Sequence, residues 1–257
     1  MVKIGGALLD DPALVERCAR CVTELIQSGD QVAVVHGGGG ELTRLLARLG
    51  KKSEFINGLR VTDAETRDAA LMVLAGGVNK RLVASLARLE QPAIGICGGD
   101  GLSFRAQKRQ NGGADLGFVG EISSVDPRWL EAFWNAGAVP VIASLALGLD
   151  GEYYNVNADQ MAAACAVACQ AQRLAFLTDV HGVWNADHDI IRVLPLKNIP
   201  VLKKAGVING GMLPKLEACE RALAGGVRSV HILAGAEMEA LSQLAKGTIQ
   251  VGTELVS

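Results

Sequence analysis

Along this chain, short apolar runs rich in β-branched residues alternate with longer stretches in which apolar residues return every three or four positions. The first pattern predicts buried strands and the second amphipathic helices. Val2–Ile4, Val32–Val35, Ala93–Cys97, Val139–Ala143, Leu174–Thr178 and Val230–Leu233 read as strands. Pro12–Gln27, Glu41–Leu49, Ala64–Leu89, Arg128–Asn135, Ala158–Ala168, Asn198–Lys204 and Leu213–Ala224 read as helices. Strands that are apolar throughout lie buried on both faces. The expected architecture is therefore a mostly parallel central sheet between two helical layers, a three-layer α/β/α sandwich. Phe104 to Val125 breaks the rhythm: two polar-apolar stretches flank Asn111-Gly112-Gly113, the mark of an inserted β-hairpin. Lys51 to Ile56 reads as a second, shorter excursion. No linker, repeat or composition shift interrupts the chain, so residues 1–257 read as one domain.

Composition sharpens this picture at the glycines. They supply 31 of 257 residues, well above the usual ~7%, and they gather where strands end. Gly5-Gly6 follow the first strand, His36 to Gly40 the second, Gly98-Gly99-Asp100-Gly101 the third, and Asp179 and Gly182 the fifth. In open α/β sheets ligands bind at the carboxyl ends of the strands. Lys plus Arg is 25 and Asp plus Glu 27, a net charge of -2 that offers no basic footprint for nucleic acid. No run reaches the ~18 apolar residues of a membrane span, and Asp10-Asp11 close the N-terminal apolar run too early for a signal peptide. The expected compartment is the cytoplasm. Cys18, Cys21, Cys165 and Cys169 fall in helical patterns and read as buried thiols rather than a metal site.

Four consecutive glycines after His36 leave backbone N–H groups free to face one ligand, beside a helix N-terminus that favours an anion. No P-loop, dinucleotide fingerprint, zinc-protease motif or nucleophile elbow is present, and the four histidines show no metal-ligand spacing. Arg60 offers a planar fork for carboxylate or phosphate. Thr62 or Asp63 is placed to cap the following helix, with Glu65 completing a capping box with Thr62. Asn157 is a plausible N-cap and Asp159 suits the positive helix end, which leaves Asn155 unexplained. Lys215 sits in the first turn of a helix, against the dipole, as though an anion were held nearby.

Taken together, Lys3-Ile4-Gly5-Gly6, His36-Gly37-Gly38-Gly39, Asn57 to Thr62, Asn155 to Gln160 and Gly210-Gly211-Met212-Leu213-Pro214-Lys215 resemble the amino-acid kinase family, and within it the acetylglutamate branch. The resemblance implies the amino-acid kinase fold and ATP-dependent phosphorylation of the side-chain carboxylate of N-acetyl-L-glutamate, in arginine biosynthesis. It implies that Lys3 and Lys215 flank the phosphoryl group, that Gly6, Gly38 and Gly39 donate backbone N–H groups to it, and that Asp159 holds the lysines. It places Arg60 and Asn155, with Gly38 and Gly39, on the acceptor. Asp179, Val180, His181, Gly182 and Val183, with Val207, Ile208, Asn209, Gly210 and Gly211, would border ATP. Mg²⁺ would be bound through the ATP phosphates and by no protein ligand.

The resemblance also implies two lobes: residues 1–165 for the acceptor and dimerisation, 166–257 for the nucleotide. Arginine-inhibited relatives carry an extra N-terminal helix. Here the first strand begins at once, so a homodimer around the Ala64–Leu89 helix, insensitive to arginine and without a regulatory extension, is expected. Competing readings are a kinase of the aminoadipate branch of lysine biosynthesis, another amino-acid kinase, or a non-catalytic ligand sensor of the same fold. Gly39 and Gly211 to Lys215 depart from the aminoadipate pattern. Retention of Lys3, Asp159 and Lys215 together argues against a sensor.

Overall fold

The computed structural model describes residues 1–110, 115–208, 210–249 and 251–257. All six expected strands form, and Val193–Pro195 and Thr253–Val256 join them in an eight-stranded sheet. Its order is Val193–Pro195, Thr253–Val256, Ser229–Ala234, Arg173–Thr178, Val2–Ile4, Val34–His36, Val139–Ala143, Ala93–Ile96. Neighbours are parallel except where Ser229–Ala234 meets Thr253–Val256. The two strands that the hydrophobic pattern does not reveal are short and at one edge. Val193-Leu194-Pro195 buries one residue fully, too little to stand out from a loop.

Two hydrophobic cores lie on opposite faces of this sheet. Val2 and Ile4 point into one, with the helix Pro12–Gln27 and the long helix that starts at Ala64. Alternation along the strand turns Lys3 to the other face, where the helices Ala158–Ala168 and Met212–Ala224 pack with Val35 and Phe176. The register sets Lys3 directly between those two residues.

The inserted hairpin is present as the antiparallel strands Phe104–Lys108 and Val119–Val125. Its expected turn, Asn111-Gly112-Gly113, lies outside the described residues. These strands close a four-stranded barrel with Leu145–Gly148 and Tyr153–Val156. Sequence pattern runs Leu145–Gly148 into the strand before it, because only Ser144 separates two continuous apolar runs and the change of direction there is tertiary. The shorter excursion is also a hairpin, Phe55–Ile56 with Leu59–Arg60. Asn57 (φ 51) and Gly58 (φ 79) both take positive φ at its tip, as a tight two-residue turn requires.

The long helix runs through Ala64–Ala70, a π-helical stretch Leu71–Val78 and Asn79–Ala87. Contrary to the sequence reading, this 24-residue run has the length and mean hydropathy (1.3) of a membrane span, but half of the apolar window is buried within the protein. The expected capping box does not form. Asp63 alone caps, accepting from the Thr66 N–H at 2.9 Å, while Glu65 pairs with Lys51. The six cysteines are free, and all but the half-buried Cys169 are buried.

Not every strand-end glycine faces the ligand edge. A Cβ on Gly98 would lie 2.4 Å from the Ala146 backbone, and one on Gly99 1.8 Å from the Tyr153 hydroxyl oxygen. These two glycines let the barrel approach the sheet. Gly98→Ala should therefore cost about 1–3 kcal/mol by overpacking, read as a lower urea midpoint with an unchanged m-value. An unshifted midpoint would contradict this role.

Candidate active site

Three elements converge on the face of the sheet that carries Lys3. Asn157 caps the helix Ala158–Ala168, its Oδ1 accepting from the N–H groups of Asp159 (2.9 Å) and Gln160 (3.2 Å). That cap fixes the first turn and aims Asp159 across the sheet. Lys215 projects from the first turn of Met212–Ala224, which packs on the Asp159 helix. The Asp159 carboxylate takes one lysine on each oxygen: Lys3 Nζ lies 2.8 Å from Oδ1 and Lys215 Nζ 3.0 Å from Oδ2. All three are buried, at 7, 6 and 6% exposure for Lys3, Asp159 and Lys215. Phe176 floors the site, its ring centroid 5.2 Å from the Lys215 ammonium.

The electrostatics are those of two cations sharing one anion. Burial by itself would raise the Asp159 carboxyl, but the Lys3 and Lys215 charges overcome it and hold the group below the ordinary carboxylate value. Burial pulls Lys3 below the ordinary lysine value, with Asp159 opposing and Lys215 reinforcing the shift. The triad as a whole keeps a positive charge, so an anion brought beside it meets a site already desolvated and oriented.

The glycine loops supply donors. Gly38 takes φ 146 and packs so closely that a Cβ would lie 2.8 Å from Leu74 Cδ2. Among the described residues its N–H donates to no backbone acceptor. The Gly38 and Gly39 nitrogens face Gly6, 3.8 and 3.7 Å from where a Cβ on that glycine would stand. The helix Gly39–Arg48 starts here and adds its positive end. Gly40 lies away from this edge: a Cβ on it would meet Asp10, which pairs with Arg44.

Arg60 closes the other side. Its fork donates to Gly39 O (3.0 Å), Thr43 Oγ1 (2.7 Å) and Ser53 Oγ, and its guanidinium lies 4.6 Å from the Phe55 ring centroid. Among the described residues no carboxylate pairs with it, although burial already pulls it below its ordinary pKa. Asn155 Nδ2 donates to Thr62 Oγ1 at 3.4 Å. Thr62 is the joint: fully buried, it exchanges backbone hydrogen bonds with Leu116 and Phe118 and so ties the Arg60 hairpin to the barrel. The sequence reading gives Thr62 a capping role and misses this one, because its partners are more than fifty residues away in the chain.

A profile of the amino acid kinase family matches residues 1–234. The chain belongs to the amino acid kinase family. Within that family it is 60% identical over its whole length to the acetylglutamate kinase of Acidobacterium capsulatum, covering 98% of that protein. It is 52% identical to the acetylglutamate kinase of Koribacter versatilis, again across the whole chain and 98% of the relative. Among solved structures, N-acetylglutamate synthase from Neisseria gonorrhoeae, complexed with coenzyme A and N-acetyl-glutamate, superposes with a TM-score of 0.88 at 27% identity, over all of this chain and 58% of that one. The protein smu.665 from Streptococcus mutans gives 0.84 at 25% identity, over 99% and 97%. Carbamate kinase from Giardia lamblia, at 13% identity and 0.70 over 99% and 97%, shares the fold.

In this family member the Asp179 to Val183 loop leaves the same sheet edge from Arg173–Thr178, and the Asp179 charge reaches Lys3. Gly182 takes φ 149 against Thr253, whose Oγ1 accepts from the Val183 N–H at 2.8 Å. Val183 and Ile208 turn their side chains into the core, whereas Asp179, His181, Gly210 and Gly211 are exposed and Val180 and Val207 half-buried. His181 pairs with Glu237 at 3.2 Å. Asn209 lies outside the described residues. The floor residue Phe176 went unread in the sequence; its one signal was its place in a strand that would lie beside that of Lys3.

Asp159→Asn leaves two buried ammonium groups without a counter-charge. Removing one partner of a buried ion pair costs about 3–5 kcal/mol, and denaturation at pH 7 should show a loss of that order. Since the Asp159 pKa is depressed, its contribution is complete above the ordinary carboxylate pKa of ~3.9 and is lost as pH falls below it. The gap between the wild type and the variant should therefore close in acid.

Proposed function

We propose that this chain transfers the γ-phosphoryl group of ATP to the side-chain carboxylate of N-acetyl-L-glutamate, giving N-acetyl-L-glutamyl 5-phosphate for arginine biosynthesis. The observation that carries the reading is the buried triad of Lys3, Asp159 and Lys215, with its surplus positive charge beside a glycine cradle. Full-length similarity to acetylglutamate kinases supports the choice of acceptor.

A γ-carboxylate with a pKa of ~4.3 is already ionised at neutral pH, so the reaction needs no general base. It needs two anions held in line and their repulsion neutralised. Lys3 and Lys215 flank the phosphoryl group in flight, and Asp159 orients both. Gly6, Gly38 and Gly39 present backbone N–H groups to the charge that develops on its oxygens. Arg60 and Asn155 hold the α-carboxylate end of the acceptor; Arg60 exchanges its hydroxyl and carbonyl partners for a carboxylate. Asp179 to Val183 and Val207 to Gly211 border the nucleotide, with Val183 and Ile208 contributing backbone. Residues 1–165 form the acceptor lobe and 166–257 the nucleotide lobe.

Among the described residues no three His, Cys, Asp or Glu side chains converge to hold a metal, and Asp159 is taken by lysines. The donor set therefore suits Mg²⁺ carried by the ATP phosphates, where it would neutralise phosphate charge. The exposed Met72 (67%) and the exposed Gly77 on the long helix support a homodimer built on that helix. The enzyme works in the cytoplasm on a small-molecule substrate, with no nucleic acid or membrane as partner.

With ATP and Mg²⁺, hydroxylamine should trap acyl phosphate from N-acetylglutamate in preference to glutamate, N-acetylaminoadipate, aspartate or carbamate. Turnover confined to another acceptor would overturn the assignment. Lys215→Ala should lower kcat by about 10²–10³-fold with a much smaller change in nucleotide affinity. Arg60→Ala should act mainly on the acceptor KM. Because the Lys3 pKa is lowered, it loses its proton before an ordinary lysine does. The alkaline limb of kcat/KM, which reports the free enzyme, should fall below the ordinary ~10.4.

A further inference from the structure

His36 precedes the glycine cradle, is fully buried, and has no place in the chemistry described so far. Its Nδ1 lies 2.8 Å from the Gly37 carbonyl oxygen, and its Nε2 lies 3.0 Å from Asn79 Nδ2. A carbonyl can only accept, so Nδ1 carries the proton. Asn79 Nδ2 also donates to the Val141 carbonyl at 2.9 Å, which fixes the orientation of the amide. Nε2 is therefore the acceptor, and the ring is the neutral Nδ1–H tautomer.

Asn79 belongs to the long helix, one residue after Val78. Val78 and Leu74 are also the side chains that crowd Gly38. The helix thus touches the cradle twice, by packing against Gly38 and by a hydrogen-bond relay to Gly37. The space for Asn79 comes from Gly95 on the far edge strand. A Cβ there would stand 1.7 Å from Asn79 Oδ1.

We propose that His36 and Asn79 are positioning residues: Asn79 locks the His36 tautomer, and the His36 Nδ1–H holds the Gly37 carbonyl so that the next N–H groups face the phosphoryl group. Gly95 is the third member, present to leave room for the amide. This rests on the reading of the glycine loop as the phosphoryl cradle. Burial supports it, pushing the His36 pKa down to about 4 with the Lys80 charge acting in the same direction, so the ring stays neutral at working pH.

The test compares wild type, Asn79→Ala, Gly95→Ala and the double variant. Imidazole ¹⁵N spectra of the ligand-free protein at pH 7 should show His36 as the Nδ1–H tautomer. Both single variants should disturb that signal. In each, kcat should fall by about 10²-fold, the cost of a misplaced group, with the acceptor KM changed less than threefold. The double variant should be no worse than the more affected single one, because both remove the same relay. An Nε2–H tautomer in wild type, or folded variants with wild-type kcat, would overturn the proposal. So would a loss confined to thermal stability. The spectra need no substrate, so a failed acceptor assignment would leave the tautomer result standing and be recognised separately.

Discussion

The structure depends on one carboxylate shared between two lysines, all three largely withdrawn from water. Withdrawing three ions from water costs several kcal/mol each, and only close, well-aimed contacts offset it. Those contacts require three elements from the beginning, middle and end of the chain to meet within about 3 Å. A strand must turn Lys3, and not Val2 or Ile4, toward the helical layer. Two helices must begin at the same point, so that Asp159 and Lys215 both project from first turns. The N-terminal helix charge favours Asp159 and works against Lys215, and the shared carboxylate compensates the second. Two lysines against one carboxylate leave a surplus positive charge at this point of the fold.

The glycines divide by what surrounds them. A Cβ on Gly6 or Gly39 would stand 3.7 and 3.9 Å from its nearest non-adjacent atom, so these two border open space, whereas Gly38, at φ 146, is pressed against Leu74 and Val78. Gly98, Gly99 and Gly95 serve close packing, of the barrel against the sheet and of Asn79 against an edge strand. Gly117 belongs to the second group, since a Cβ on it would meet the Thr62 carbonyl at 2.2 Å. The two groups meet at the long helix, whose apolar side chains press on Gly38 from behind. A helix rich enough in apolar residues to resemble a membrane span is here the wall behind the cradle.

The side of the site that carries Arg60 and Asn155 is assembled differently. Arg60 stands on a two-residue strand of a small hairpin and Asn155 on a barrel strand, and Thr62 joins them through the barrel. Neither stretch is long enough to be stable alone. Their placement comes from backbone hydrogen bonds between segments distant in the chain, and among the described residues the Arg60 fork has hydroxyl and carbonyl partners and no carboxylate.

The sequence by itself determined the α/β class, the main strands and helices, and the family to which the chain belongs. Hydrophobic periodicity and local caps, such as Asn157 on its helix, act over a few residues and can be read there. The motifs containing Lys3, the glycine run, Arg60, Asn155, Asp159 and Lys215 were equally legible as residue types. Tertiary structure alone decided the closed barrel, the two edge strands, the joint at Thr62, the Phe176 floor and the His36–Asn79 relay. It also decided which glycines border open space and which make room for a neighbour. The reason is physical: each of these is settled by contacts between segments far apart in the chain, and a residue type does not state which distant atom it will meet.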